Sequence, residues 1–132
     1  MKKNIEQQAK GLMTKVDLYA ENLVDVIWVF APDDTDKIAP LGRRPDKVIK
    51  AEAKNLRAMG KQLTWLKHKL VEMEQAILAA DISIAKGSAH QLADLGALTP
   101  ELNSIRVMIK DVKASKNLAF GMADDLDGYT TA

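Results

Sequence analysis

The sequence predicts an all-α protein: an elongated helical hairpin or bundle with one long central helix and coiled-coil-like seams. Three observations predict it. Apolar residues recur at three-and-four spacing in three long segments. No proline interrupts residues 46–86. The 132-residue chain also draws most of its apolar content from 18 alanines and 15 leucines, with only six aromatic side chains. Alanine and leucine favour helix, whereas a β-sandwich would be enriched in Val, Thr, Tyr and Phe. The length suits a single domain with its own core.

The first helix is expected over residues 3–30. Ile5, Ala9, Leu12, Val16, Tyr19, Leu23, Val26 and Phe30 alternate spacings of four and three, which is an a/d seam. The end of this segment, Val26-Ile27-Trp28-Val29-Phe30, is apolar on every side. That pattern fits all-round burial or insertion into a partner, and its β-branched content also admits a short strand. Pro32 through Gly42 is rich in turn residues and reads as a loop.

The central helix is expected over 45–86, with Pro45 in its first turn, where a missing N–H costs little. Ile49, Leu56, Leu63, Leu70, Ile77 and Ile84 lie seven apart, with Glu52, Met59, Leu66, Met73, Ala80 and Gly87 at the companion positions, so the seam is strong from 56 to 80 and weaker at both ends. A strict period of seven, without 3.6-residue drift, describes a helix supercoiled against a partner. Leu56, Met59, Leu63, Leu66, Leu70, Met73 and Ile77 are therefore the candidate seam for a second subunit or another protein. Gly60 costs about 1 kcal/mol against alanine in this helix. It marks either a close helix–helix approach or a break that would fold the chain into a compact four-helix monomer. Gly87-Ser88 reads as the stop, with a short helical turn around Ala89–Leu95 ended by Gly96.

A third helix is expected over 100–118. Thr99-Pro100-Glu101 supplies an N-cap, a first-turn proline and a dipole-favourable carboxylate, and Leu102, Ile105, Ile109 and Val112 form the stripe. Residues 1–118 are thus read as one helical domain and 119–132 as an acidic tail carrying Asp124, Asp125 and Asp127.

A helix over 45–86 is about 63 Å long, against a radius of gyration near 14 Å for a compact chain of this size. The expected monomer is a rod, with the first helix along the early half of the central one and the third along the late half. Two helices in cross-section leave Trp65, Val71, Leu78 and Ile82 uncovered, and helices from another subunit are the physical remedy.

The net charge of +1 conceals segregation: −2 over residues 1–42, +7 over 43–69 and −4 over 70–132. Arg43, Arg44, Lys47, Lys50, Lys54, Arg57 and Lys61 follow one helix face opposite the seam. Such a face suits phosphates, an anionic surface or an acidic protein, or is simply the solvated side of a coiled coil. Without interleaved aromatics it does not suit stacking on single strands. The acidic tail, anchored by Leu126 and Tyr129, fits either a frayed terminus or docking on a neighbour's basic face. Trp28, Phe30, Trp65 and Tyr129 are candidate interface anchors.

No catalytic, metal or cofactor site is expected. The chain has no cysteine, which excludes disulfides and thiolate chemistry. His68 with Glu72 and His90 with Asp94 each make only half a metal site. No phosphate loop, dinucleotide pattern or nucleophile elbow occurs. The start lacks an apolar signal region, and the longest apolar run, Val26 to Ala31, is far too short to span a bilayer. The expectation is a soluble protein, cytoplasmic or within an assembled particle and not secreted by a signal peptide. The leading functional reading is a non-enzymatic structural or assembly protein that self-associates or serves as an adaptor. In general build it is similar to small helical connector subunits of phage particles. The alternatives are a nucleic-acid-associated protein using the 43–61 face, and a small helical inhibitor or chaperone of one protein partner.

Overall fold

Asn4 opens the first helix with a capping box. Its side chain accepts from the Gln7 backbone N–H at 2.8 Å, and the Gln7 side chain accepts from the Asn4 N–H at 3.2 Å. In the computed structural model, which describes residues 4–30, 41–85 and 95–130 (side chains of 80–85 and 95–99 apart), this helix is α1 (Ile5–Glu21). It stops at Asn22, whose side-chain amide donates to the Leu18 carbonyl at 2.9 Å. A short α2 (Leu23–Ile27) follows, and the chain then turns extended at Trp28. The helix expected over 3–30 is therefore interrupted twice. The Asn22 backbone N–H is shared between the Leu18 and Tyr19 carbonyls, and its side chain bonds back to the same turn, a local bond that competes with the regular ladder. The aromatic and β-branched Trp28-Val29 pair fits a strand better than a helix. The strand alternative holds: β1 (Trp28–Val29) pairs antiparallel with β2 (Gly42–Arg43), Trp28 opposite Arg43 and Val29 opposite Gly42.

Pro45 starts the central helix as expected, its carbonyl accepting from the Val48 and Ile49 N–H groups at 3.0 and 3.2 Å. α3 (Asp46–Ala85) is continuous through Gly60, about 60 Å long, so no break folds the chain into a compact four-helix form. Gly60 instead lies against the Phe120 ring.

The third helix corrects the sequence reading. α4 spans Leu95–Thr130, about 54 Å, in place of 100–118. Gly96, expected as a stop, and Pro100, expected in the first turn, both lie inside it. The segment read as an acidic tail continues the helix to Thr130. The cause is burial: Leu102, Ile105, Val112, Ser115, Ala119, Met122, Ala123, Leu126 and Thr130, with half-buried Ile109 filling the stripe between Ile105 and Val112, hold one inward face at helical periodicity. α4 consequently returns along nearly all of α3, antiparallel, and not along its late half alone. Arg57 meets Asp124 and Asp127 near one end, and Arg106 meets Glu74 toward the other.

α1 lies against both long helices. Tyr19 donates to Glu52 of α3, and Leu12 shares a hollow with Trp65 and Leu66, so α1 is antiparallel to α3. At about 26 Å it covers less than half of α3. Among the described residues the molecule thus has a three-helix base and, beyond about Glu74 and Arg106, a two-helix tip. Ala9, Val16, Ile27, Ile49, Leu56, Leu63, Leu70, Val112 and Leu126 form the continuous core of the base. The expected turn through 32–40, the stop at Gly87-Ser88, the turn beginning at Ala89, and His90 with Asp94 lie outside the described residues, as does the side chain of Ile82.

Candidate interaction surfaces

The heptad seam is consumed inside the chain. Leu56, Leu63, Leu66 and Leu70 are fully buried, and Met59 and Met73 are half-buried against the same core. Their partners are α1 and α4 of the same molecule, so these six positions hold the hairpin together and offer no open seam to a second one. Ile77, next along the stripe, lies where α1 has ended and is only half-buried.

The basic face divides into two groups. Its arginines are engaged. Arg43 donates to Asp46 at 2.6 Å and to the Tyr129 carbonyl, closing the strand pair onto the end of α4. Arg44 donates from Nε to the Asp25 carbonyl, and its backbone N–H reaches the Ile27 carbonyl at 2.7 Å. Arg57 bridges Asp124 at 3.0 Å and Asp127, and hydrogen bonds to Asp127 first and Asp124 second raise its pKa further. Asp124 and Asp127, in the segment that the sequence reads as either a frayed terminus or a tail docked on a neighbour, therefore dock within the chain. The lysines are different. Lys47, Lys50, Lys54 and Lys61 are exposed and pair with no carboxylate among the described residues.

Three of the four aromatic anchors lie near the strand pair. Trp28 meets Tyr129 edge to face, with ring centroids 6.0 Å apart and planes at 83°, and half-buried Phe30 follows β1. Trp65 stands on the outside of α3, 50% exposed, with Lys69 Nζ 5.4 Å from its ring centroid. These side chains do not form one patch.

Sequence reasoning missed two features. One is Glu52, which sits at a seam position yet is turned inward onto the Tyr19 hydroxyl. Burial, with the Glu52 hydrogen bond adding to it, pushes the Tyr19 pKa above its ordinary value. The other is Val107, 59% exposed on α4. A groove of about 310 Å³ lies beside Tyr19, lined by Lys15, Leu18, Asn22, Val26 and Met59. His68 and Glu72 are both exposed on α3, and among the described residues no three His, Asp or Glu side chains gather to hold a metal ion. None of the described helices is long and apolar enough to cross a membrane.

No family model, no curated protein and no solved structure matches the chain.

Proposed function

We propose that this chain is a non-enzymatic helical assembly subunit, joining its own copies or an adaptor's neighbours through the two-helix tip. One observation carries the reading. α1 stops covering the hairpin near Met73 and Met108, while α3 and α4 continue beyond it. In this stretch Ile77 and Leu78 are left half-buried, and at its margin Val107 stands open beside a hollow it shares with Lys10 of α1. A pair of helices buries one stripe on each, whereas a bundle of three or four covers the flanking positions too. The base reaches three helices with the chain's own α1, and the tip needs helices from elsewhere. In this reading the subunit works in the cytoplasm or within an assembled particle.

Sedimentation velocity on the purified chain tests it. The expected result is a defined oligomer at micromolar concentration that Leu78→Glu with Val107→Glu converts to monomer. A clean monomer of the unmodified chain, or an oligomer indifferent to both substitutions, refutes it.

A further inference from the structure

The lysines left over on α3 form a surface that the assembly reading does not use. Taking 100° per residue, Lys47, Lys50, Lys54 and Lys61 project within about a 60° arc and span roughly 21 Å of helix. Ala51 and Ala58 lie beside them, also exposed. Between Lys47 and Lys69 the sequence holds a single carboxylate, Glu52, and it is bonded to Tyr19 on another side of the helix. Across the fold, Asp124 and Asp127 of α4 are held on Arg57 at the margin of the stripe. Among the described residues the result is a straight cationic ridge, unneutralised along its length and floored by methyl groups.

We propose that this ridge of α3, from Lys47 to Lys61, docks along the phosphates of a nucleic-acid duplex. Charge complementarity identifies the partner. An acidic protein would need several apolar anchors to hold it, because exposed ion pairs contribute little by themselves. Between the lysines this face offers only alanine, and its one exposed aromatic, Trp65, stands a turn beyond Lys61. A lipid surface would need an apolar face to insert, and the apolar face of α3 is buried under α1 and α4. A single strand would need stacking platforms, and no aromatic residue lies between Lys47 and Lys61. A duplex needs none of these. It presents closely spaced charges along a rod, and lysines gain affinity there by releasing condensed counterions. The arginines suited to bidentate reading of guanine are tied up in internal contacts. Binding is therefore indifferent to base sequence, and DNA and RNA duplexes share the chemistry recognised.

The test is fluorescence anisotropy of the full chain with short labelled DNA and RNA duplexes across a salt series. Four phosphate contacts on DNA give a slope of log affinity against log salt near −3.6, or about a 150-fold loss between roughly 50 and 200 mM salt. Replacing Lys47, Lys50, Lys54 and Lys61 together by Gln abolishes binding, and each single Lys→Gln change lowers the slope by about 0.9. Lys110→Gln with Lys113→Gln, which removes two exposed charges from α4, leaves affinity and slope unchanged. Because the four lysines are exposed, circular dichroism of the quadruple variant matches the parent. Absence of duplex binding at low salt, or retention of it by the quadruple variant, overturns the proposal. So does an equal loss in the α4 variant, or binding to phosphatidylglycerol vesicles or polyglutamate in preference to both duplexes.

Discussion

Replacing Gly60 by alanine sets two opposed effects against each other at one atom. Alanine is favoured over glycine in a helix interior by about 1 kcal/mol. A Cβ placed on Gly60, however, would lie 2.7, 2.8 and 2.9 Å from Cζ, Cε2 and Cε1 of Phe120. Carbon contacts are comfortable at about 3.5–4.0 Å, so the ring must retreat by nearly 1 Å. Phe120 projects from a helix, where its first torsion has few allowed values, and it is half-buried, so retreat also returns apolar surface to water. Overpacking of this kind costs about 1–3 kcal/mol, which leaves Gly60→Ala net destabilising by about 1 kcal/mol. The sign reverses once the ring is gone. In a Phe120→Ala background the same Gly60→Ala change stabilises by about 1 kcal/mol, giving a coupling near 2 kcal/mol. Urea unfolding followed by far-ultraviolet circular dichroism, at one protein concentration for all four chains, measures the cycle. An equal stabilisation in both backgrounds would refute the close approach of α3 and α4 at this level.

Three further outcomes are expected. Asn4→Ala removes the capping box of α1 and costs about 1 kcal/mol, read as a lower urea midpoint. Tyr19 holds its proton more tightly when folded, so its contribution is complete below about pH 10 and is lost as pH rises through the higher folded pKa. Tyr19→Phe therefore costs about 1 kcal/mol near neutrality and flattens the alkaline decline, seen by comparing urea curves near pH 8 and pH 11. Arg57→Met breaks a partly exposed bridge to Asp124 and Asp127, worth about 0.2–1 kcal/mol. The difference shrinks in about 1 M salt, where the screening length falls to roughly 3 Å.

The helices were legible in the sequence wherever one stripe repeated without polar interruption. For α3 an unbroken heptad run behind Pro45 located the start and the residue faces, because burial against both α1 and α4 selects the same positions. The α1 seam from Ile5 to Val26 predicted which side chains turn inward, although it could not show that Asn22 would divide the helix. For α4 the stripe is legible to about 118, and beyond it the apolar side chains are scattered among Asp124, Asp125 and Asp127 and read as a tail. Ala119, Met122, Leu126 and Thr130 carried the continuing signal, and pairing with α3 outweighs Gly121 and Gly128. Of the surfaces, the charge asymmetry was visible in the chain, but its division was not. That three arginines would be engaged and four lysines left over depends on contacts such as Arg43 with the Tyr129 carbonyl, 86 residues apart. Nothing in local spacing reports a contact of that range.

The antiparallel register of α3 and α4 also sets an order of assembly in time. The contacts between them lengthen steadily along the hairpin. Arg106 and Glu74 are separated by 32 residues, Arg57 and Asp127 by 70, and Arg43 and Tyr129 by 86. Closing the longest of these directly costs about 0.9 kcal/mol more in chain entropy than closing the shortest. Pairing is cheapest to begin toward the tip and proceeds like a zipper to the base, each closed level shortening the loop for the next. α1 needs both long helices before it can dock fully, yet it leaves the ribosome before either. Until residues 112–126 are made, Ala9, Val16 and the rest of its inward face have α3 alone to pack on, so the newborn chain is most vulnerable to aggregation at its first helix.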